Sequence, residues 1–260
     1  MAKAQMIDHL KKTCQKTLKL LEQLGPISNL AVLIAAITYL TYGEQKQRNS
    51  DVTQAWTVIT AAYEQKGSGG RIQALELLNA SPGIPGRHRF PWFWLTWNPE
   101  SLQGLEAPNA FLQNIQLPNA DLWQANLKNA NLRGANLQNS SLEGANLQKS
   151  ILAAAHLQGS RLRIANLAGA DLFRANLRGA NLRGANLHSA GLVEANLQSS
   201  DLAGAKLQMA TLHRATLQDA KYTDASTSPK LCESLSLSYP CPTGFPEGFN
   251  PESRGMVKIN

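Results

Sequence analysis

The side chains that most often carry catalysis or bind metals are few in this 260-residue chain, and they are widely spaced. The five histidines are His9, His88, His156, His188 and His213. None of them lies at a zinc-ligand spacing from a cysteine or from a second histidine. No nucleophile elbow and no paired His-Glu helix motif occurs. The sequence therefore predicts no enzyme, no cofactor and no metal site.

The composition narrows the class of protein further. Charged residues make up 17% of the chain, apolar residues make up 43%, and there are three cysteines, which excludes a disulfide-built scaffold. The net charge is +7, and residues 101–225 carry 11 basic and 8 acidic side chains. This balance is too weakly basic for a dedicated nucleic-acid binder and not acidic enough for a nucleic-acid mimic. We therefore expect no nucleic-acid partner.

The elements that position the outward side chains follow from an internal repeat. Every fifth residue from Leu112 to Leu217 is leucine, without exception over 22 positions. Ala or Ser usually stands two residues before each leucine, with Asn or Asp often between them, as in Ala125-Asn126-Leu127. Asp121, Asp171 and Asp201 occupy that Asn/Asp position, which gives them a structural role in the repeat.

A period of five fits neither regular helix nor flat strand. Five helical residues advance by about 500°, so the leucines would form no stripe. On a flat strand, alternate leucines would point to opposite faces. A chain that turns at every repeat can keep all of them inward, and Gly134, Asn139 and Gly144 suit the corners. The pattern predicts an all-β solenoid of very short strands.

The repeat resembles the pentapeptide-repeat family, with its A-(D/N)-L-x-x consensus, over residues 101–225. The resemblance implies a right-handed quadrilateral β-helix with four repeats in each coil. Residues 20 apart would then stack, and Asn126, Asn146, Asn166 and Asn186 would form a ladder.

One stacked column suggests a docking face for a protein partner. It contains Phe173, Val193 and His213, with Arg174 beside them and Arg178 and Arg183 on neighbouring faces. Exposed Phe173 and Val193 would be unusual on a polar surface. The alternative is that these columns are only fold support and solvated surface.

The amino-terminal third predicts an attachment to membrane lipid. Residues 23–43 carry no charge, and this segment is long enough for a single transmembrane helix. We place the helix at residues 25–43. Residues 1–24 predict a basic amphipathic helix on the membrane surface. The alternatives are a buried core helix for the span and a plain helical extension for residues 1–24. More lysines precede the span than follow it, which favours a cytoplasmic amino terminus and periplasmic or lumenal repeats.

Residues 44–100 predict a helical linker followed by an aromatic cap for the open end of the solenoid. Two short helices are expected near residues 52–62 and 72–78, before the run from Phe90 to Trp97. That run could instead contact lipid headgroups. With these segments the chain resembles a cyanobacterial group of membrane-anchored pentapeptide-repeat proteins, which implies a plasma or thylakoid membrane.

Residues 226–260 break the repeat and predict a carboxy-terminal cap or tail. The run from Gly244 to Pro251 is similar to a motif that closes many pentapeptide-repeat domains, and residues 227–243 look inserted before it. The insertion holds Cys232 and Cys241, which could form a disulfide in an oxidising compartment or remain free thiols.

The function that these features predict is a non-enzymatic, membrane-tethered scaffold for docking an unidentified protein. A role in envelope or glycolipid export or assembly is an alternative that rests on analogy with relatives alone. A DNA-mimicking gyrase binder is a further alternative, but it would require a strongly acidic face. The oligomeric state is left open by the sequence.

Overall fold

The computed structural model describes residues 43, 46–47, 49–59, 61, 71–79, 100–224 and 242–259. The chain divides into two compact units, residues 1–54 and 55–260. In the first unit, the described residues are helical, and Thr53 Oγ1 donates a hydrogen bond of 2.8 Å to the carbonyl of Asn49. Within the described ranges, no helix combines the length and apolar character needed to cross a bilayer. The predicted amphipathic helix at 1–24 and the predicted span at 25–43 lie outside these ranges, except for Gly43.

The second unit contains the solenoid, and its pairing establishes four repeats in each coil. Parallel bridges join residues 20 apart, from Glu106 with Asn126 through Asp201 with Lys221. Every leucine of the unbroken run from Leu112 to Leu217 points inward and is at most 7% exposed. The pentapeptide β-helix expected from the repeat is therefore confirmed, and stacked leucines and alanines form its core.

An Asn or Asp residue before a leucine accepts a hydrogen bond that stabilises the corner that follows it. Asn186 Oδ1 accepts a hydrogen bond of 3.2 Å from the amide of His188, two residues further on. Asp171 does the same for the amide of Phe173 at 3.0 Å. These contacts are Asx turns, in which a short side chain replaces a backbone acceptor. The Asn/Asp preference thus stabilises the turn, as the structural reading of the aspartates predicts.

The second residue after each leucine takes a left-handed conformation throughout the coils. Asn139 has φ 56° and Gly134 has φ 67°, in agreement with the predicted corners. Asn and Gly tolerate this region best. Ile164 adopts φ 53° although it is β-branched, which makes it a strained exception.

Helix α1, Arg71–Asn79, contacts the first coil. The amide of Gln116 donates to Glu76 Oε1 at 2.8 Å, and Asn79 Nδ2 donates to the carbonyl of Pro118 at 3.1 Å. Leu75 and Leu78 are fully buried. This helix packs on the first coil, and the aromatic run at 90–97 that was predicted to form a cap with it lies outside the described residues.

The carboxy-terminal residues close the opposite end after a break in the pairing register. Lys206 pairs with Gly244, 38 residues further on instead of 20, so the ladder skips 18 residues. Strand β1, Lys221–Tyr222, then pairs in parallel with β2, Val257–Lys258, and a 3₁₀ helix at Glu252–Arg254 precedes β2. The skip agrees with the insertion predicted before Gly244. Cys232 and Cys241 fall within it, outside the described residues.

Two buried threonines join the sides of this skip. Thr243 Oγ1 accepts a hydrogen bond of 3.0 Å from the amide of Thr223 and donates one of 3.0 Å to the carbonyl of Leu202. Thr223 Oγ1 accepts a hydrogen bond of 3.0 Å from the amide of Gly204. Thr223 is fully buried and Thr243 is 7% exposed. Hydroxyl groups therefore anchor the cap to the last complete coil.

Candidate docking face

On each face of the solenoid, the outward residues that follow the stacked leucines form a continuous column. We define the Phe173 column as Arg133, Ala153, Phe173, Val193 and His213. The carbonyl of each member from Ala153 to His213 accepts a hydrogen bond of 2.8–3.0 Å from the preceding coil. The column is therefore fixed by the backbone ladder. The centre of the column is apolar, and its two ends are Arg133 and His213.

Phe173 lies against a guanidinium group. Its side chain is 38% exposed, and the guanidinium carbon of Arg174 lies 4.9 Å from the ring centroid. Such cation–π contacts hold an arginine over an aromatic face. The pair resembles the aromatic and arginine anchors that dominate many protein interfaces.

A charge ladder runs beside the Phe173 column and agrees with the predicted stacking. Glu194 Oε2 lies 2.6 Å from Arg174 Nε, and Glu194 Oε1 lies 3.8 Å from Arg214 Nη1. The hydrogen bond from Arg174 is the main cause of a lowered pKa for the Glu194 carboxyl group. Glu194 is thus ionised between two arginines, and the ladder presents a net positive charge.

Ile151 adds to the apolar surface on the other side of the column. It is 40% exposed and pairs with Asp171 in the next coil. Asp171 is exposed, so the face has an acidic group on this side and cations on the other. Sequence reasoning missed Ile151, Ala153 and Arg133. Counting back by 20 and 40 from Phe173, and by 20 from Asp171, would have found them.

The remaining predicted docking residues lie elsewhere on the solenoid. Arg178 follows the next leucine of the coil and lies on a neighbouring face, as expected. Arg183 follows the leucine after that one and lies on the opposite face of the four-sided coil, so its predicted place on a neighbouring face is wrong. Arg183 Nε lies 3.7 Å from Asp201 Oδ2. The structure therefore groups Phe173, Arg174, Val193 and His213, and it separates Arg178 and Arg183 from them. Val193 was expected to be exposed but is half-buried, so Phe173 is the exposed apolar member of the pair.

The asparagine ladder is present on a different face. Asn146 Nδ2 donates to Asn126 Oδ1 at 3.5 Å, and Asn186 Nδ2 donates to Asn166 Oδ1 at 3.3 Å. The same oxygens of Asn126 and Asn166 also accept backbone amides two residues further on. These contacts make the ladder part of the fold.

A cavity of about 300 Å³ lies beneath the carboxy-terminal cap, where Tyr222, Asp224 and Glu252 line it. Lys258 Nζ lies 2.9 Å from Asp224 Oδ2, and Tyr222 donates to Glu252 Oε1 at 3.5 Å. Burial is the main cause of a raised pKa for the Tyr222 hydroxyl group. These partners bind the cap to β1, so the cavity is a weaker candidate site than the Phe173 column. The part of the chain that the structure describes contains no cluster of residues that could hold a metal ion.

Comparison with known proteins shows which repeat family these coils resemble. The family model for pentapeptide repeats matches residues 115–153, 150–188 and 180–219. No curated protein matches the chain.

Among solved structures, the chain is similar to a pentapeptide repeat protein from the Arabidopsis thaliana thylakoid lumen. Their identity is 28% over 38% of this chain and 70% of that one, with a TM-score of 0.33. It is also similar to a pentapeptide repeat protein of the cyanobacterium Cyanothece 51142, at 39% identity over 35% of this chain and 54% of that one, with a TM-score of 0.24. A third, from Nostoc PCC 7120, is 31% identical over 44% of this chain and 84% of that one, with a TM-score of 0.23.

Proposed function

The chain belongs to the pentapeptide-repeat family, and from that premise we propose that it is a membrane-tethered, non-enzymatic scaffold whose solenoid docks a protein partner. The observation that carries this proposal is the Phe173 column. It places an aromatic ring, an arginine and two smaller apolar side chains on a backbone that is fixed coil by coil. Rigid presentation lowers the ordering cost of binding, which favours a docking function.

The tether rests on the sequence of the amino-terminal third. Residues 23–43 are uncharged and long enough to cross a bilayer. Five lysines lie between residues 3 and 22, which favours a cytoplasmic amino terminus. The repeats would then face the periplasm or the thylakoid lumen, and the membrane would hold them near their partner.

Carbonate extraction of membranes from cells that produce the full chain tests the tether. We expect the wild-type chain to stay in the pellet and the Ile34→Arg, Ile37→Arg double variant to be released, because two charges at the centre of the span are costly. The Gln45→Arg, Gln47→Arg variant adds the same charge outside the span and should stay in the pellet. Release of the wild-type chain would contradict the tether.

Sided membranes test the orientation through the two carboxy-terminal cysteines. In vesicles with the cytoplasmic face outward, we expect Cys232 and Cys241 to resist a membrane-impermeant maleimide. If they form a disulfide, they also resist after the vesicles are opened, until a reductant is added. Immediate labelling from the cytoplasmic side would contradict both the orientation and the disulfide.

Photo-crosslinking tests docking in the native membrane. A benzophenone amino acid at Val193 should give a discrete adduct of higher mass, because Val193 lies in the Phe173 column. The same amino acid at Gln158, which follows a different leucine of the coil and lies on a neighbouring face, is the matched control. Absence of any adduct at Val193, or equal adducts at both positions, would contradict a docking role for this column.

A further inference from the structure

The Phe173 column has a charge and spacing pattern that specifies more than a generic docking surface. Its three central members, Ala153, Phe173 and Val193, are apolar, and Arg133 and Arg214 lie one coil beyond them at the two ends. We propose that this face binds an amphipathic α-helix of a partner protein, with an apolar stripe at its centre and an acidic residue near each end. This inference rests on the proposed docking function.

The spacing favours a helix over an extended segment. Successive coils of a β-helix lie about 4.8 Å apart. Residues three or four apart on one face of a helix advance by about 5.3 Å on average. Alternate residues of a strand advance by about 6.7 Å and lose register with the coils after two steps. A helix lying along the solenoid axis thus keeps its stripe over Ala153, Phe173 and Val193.

The ends of the apolar stripe set the charge of the partner. Arg133 and Arg214 lie four coils apart, which is about 19 Å. That distance corresponds to about 13 helical residues. Both side chains are exposed. The nearest carboxylate of the ladder, Glu194, already lies between Arg174 and Arg214. Two acidic residues on the helix would complete the charge balance along this side.

Asp171 gives the face a direction. Its carboxylate is exposed on the side of Ile151, opposite the arginine ladder. Like charges across an interface are unfavourable and suppress wrong partners. The partner helix therefore carries the acidic residue that pairs with Arg214 on the flank away from Asp171, the other acidic residue over Arg133, and a polar or basic residue over Asp171.

Selection from a displayed peptide library tests the inference without assuming a sequence. The library presents an 18-residue alanine-rich helix in which the outward positions are randomised, and the bait is the full chain in detergent micelles. We expect enriched peptides to combine an apolar stripe with acidic residues about 13 positions apart. Enrichment of basic or extended peptides, or no enrichment, would overturn the proposal.

Variants of the bait then locate the binding face. Binding of an enriched peptide to Phe173→Ser should weaken at least tenfold, because a central aromatic anchor is lost. The charge change Arg133→Glu with Arg214→Gln should weaken binding about tenfold and reduce its salt dependence. The control Trp123→Ser removes an exposed aromatic residue from a different face and should leave affinity unchanged. Melting curves of the three variants confirm that each one folds.

The outcomes separate this inference from the proposed function. If enriched peptides bind equally well to Phe173→Ser and wild type, the inference fails, whereas photo-crosslinking at Val193 still tests docking. If sedimentation shows that the chain self-associates and Phe173→Ser abolishes the association, the occupant is a second copy, and the helix proposal is overturned. If Val193 gives no adduct in membranes but acidic helical peptides bind the purified chain, the proposed docking function fails, whereas the inference that this face binds an acidic amphipathic helix is supported.

Discussion

The paired threonines beneath the carboxy-terminal cap offer a quantitative test of how the solenoid is closed. Thr243→Val keeps the shape of the side chain but removes a hydroxyl group that makes three hydrogen bonds. Two are 3.0 Å long, with the amide of Thr223 and the carbonyl of Leu202, and the third is 3.2 Å long, with the hydroxyl group of Thr223. Each buried hydrogen bond contributes about 0.5–1.5 kcal/mol to stability. The substitution should therefore weaken attachment of the cap by about 1.5–4.5 kcal/mol.

Native-state hydrogen exchange is the appropriate assay because solenoids open locally. The amides of Asp219 and Val257 are the reporters, since they donate to the carbonyls of Gly255 and Ala220 across the cap. A loss of about 1.5–4.5 kcal/mol corresponds to exchange that is roughly 10- to 2,000-fold faster. The amide of Asn146, in a central coil, should keep its rate because each coil contacts only its neighbours.

Thr211→Val provides the matched control for this experiment. Thr211 is exposed in the last complete coil, and an exposed substitution of this kind usually changes stability by less than about 0.5 kcal/mol. If Thr243→Val and Thr211→Val leave the Asp219 and Val257 amides exchanging at the same rate, the hydroxyl groups do not anchor the cap. The reasoning from buried hydrogen bonds would then be refuted.

Two further predictions concern strain and charge. Ile164→Gly should be less destabilising than Ile151→Gly by about 1–2 kcal/mol in denaturant unfolding. Ile164 has φ 53° and Ile151 does not share this conformation, although the two side chains are similarly exposed. Equal free energies of unfolding for the two variants would contradict the strain at Ile164. The pKa of Glu194, followed by NMR, should lie below that of an ordinary glutamate and rise in Arg174→Gln. Because the folded pKa is lowered, the stabilisation exists above the unfolded pKa and is lost as pH falls through the folded value; an unchanged pKa in Arg174→Gln would exclude Arg174 as its cause.

The sequence predicts the coils well because each repeat contains its own structural signals. Leucine gives the inward position, Asn or Asp gives the Asx turn, and a residue such as Gly134 gives the left-handed corner. The number of repeats in a coil came from the family resemblance, since the angle of each corner depends on backbone geometry that composition does not specify. The ladder from Asn126 to Asn186 followed once that number was known.

The candidate docking face was only partly predictable, for a physical reason. Phe173 and Val193 stand out because apolar residues are rare at outward positions. Arg133 and Ala153 are ordinary at such positions, and their importance comes from stacking with Phe173 two coils and one coil away. The ring contact of Arg174 likewise depends on side-chain geometry. The register skip at Gly244 was visible as an interruption of the repeat, but its partner Lys206 was not.

The four-repeat coil has a consequence for how such a chain can change in length. Duplicating 20 residues, such as 161–180, would add one complete storey and carry the carboxy-terminal cap about 4.8 Å along the axis without turning it. Duplicating a single pentapeptide between Phe173 and Val193 would instead rotate everything beyond it by one quarter of a revolution. The Phe173 column would then be cut, with Val193 and His213 displaced to an adjoining side. Such a scaffold can lengthen by whole coils while its outward columns stay aligned. The gain or loss of a single repeat would instead rotate one part of the surface relative to the other.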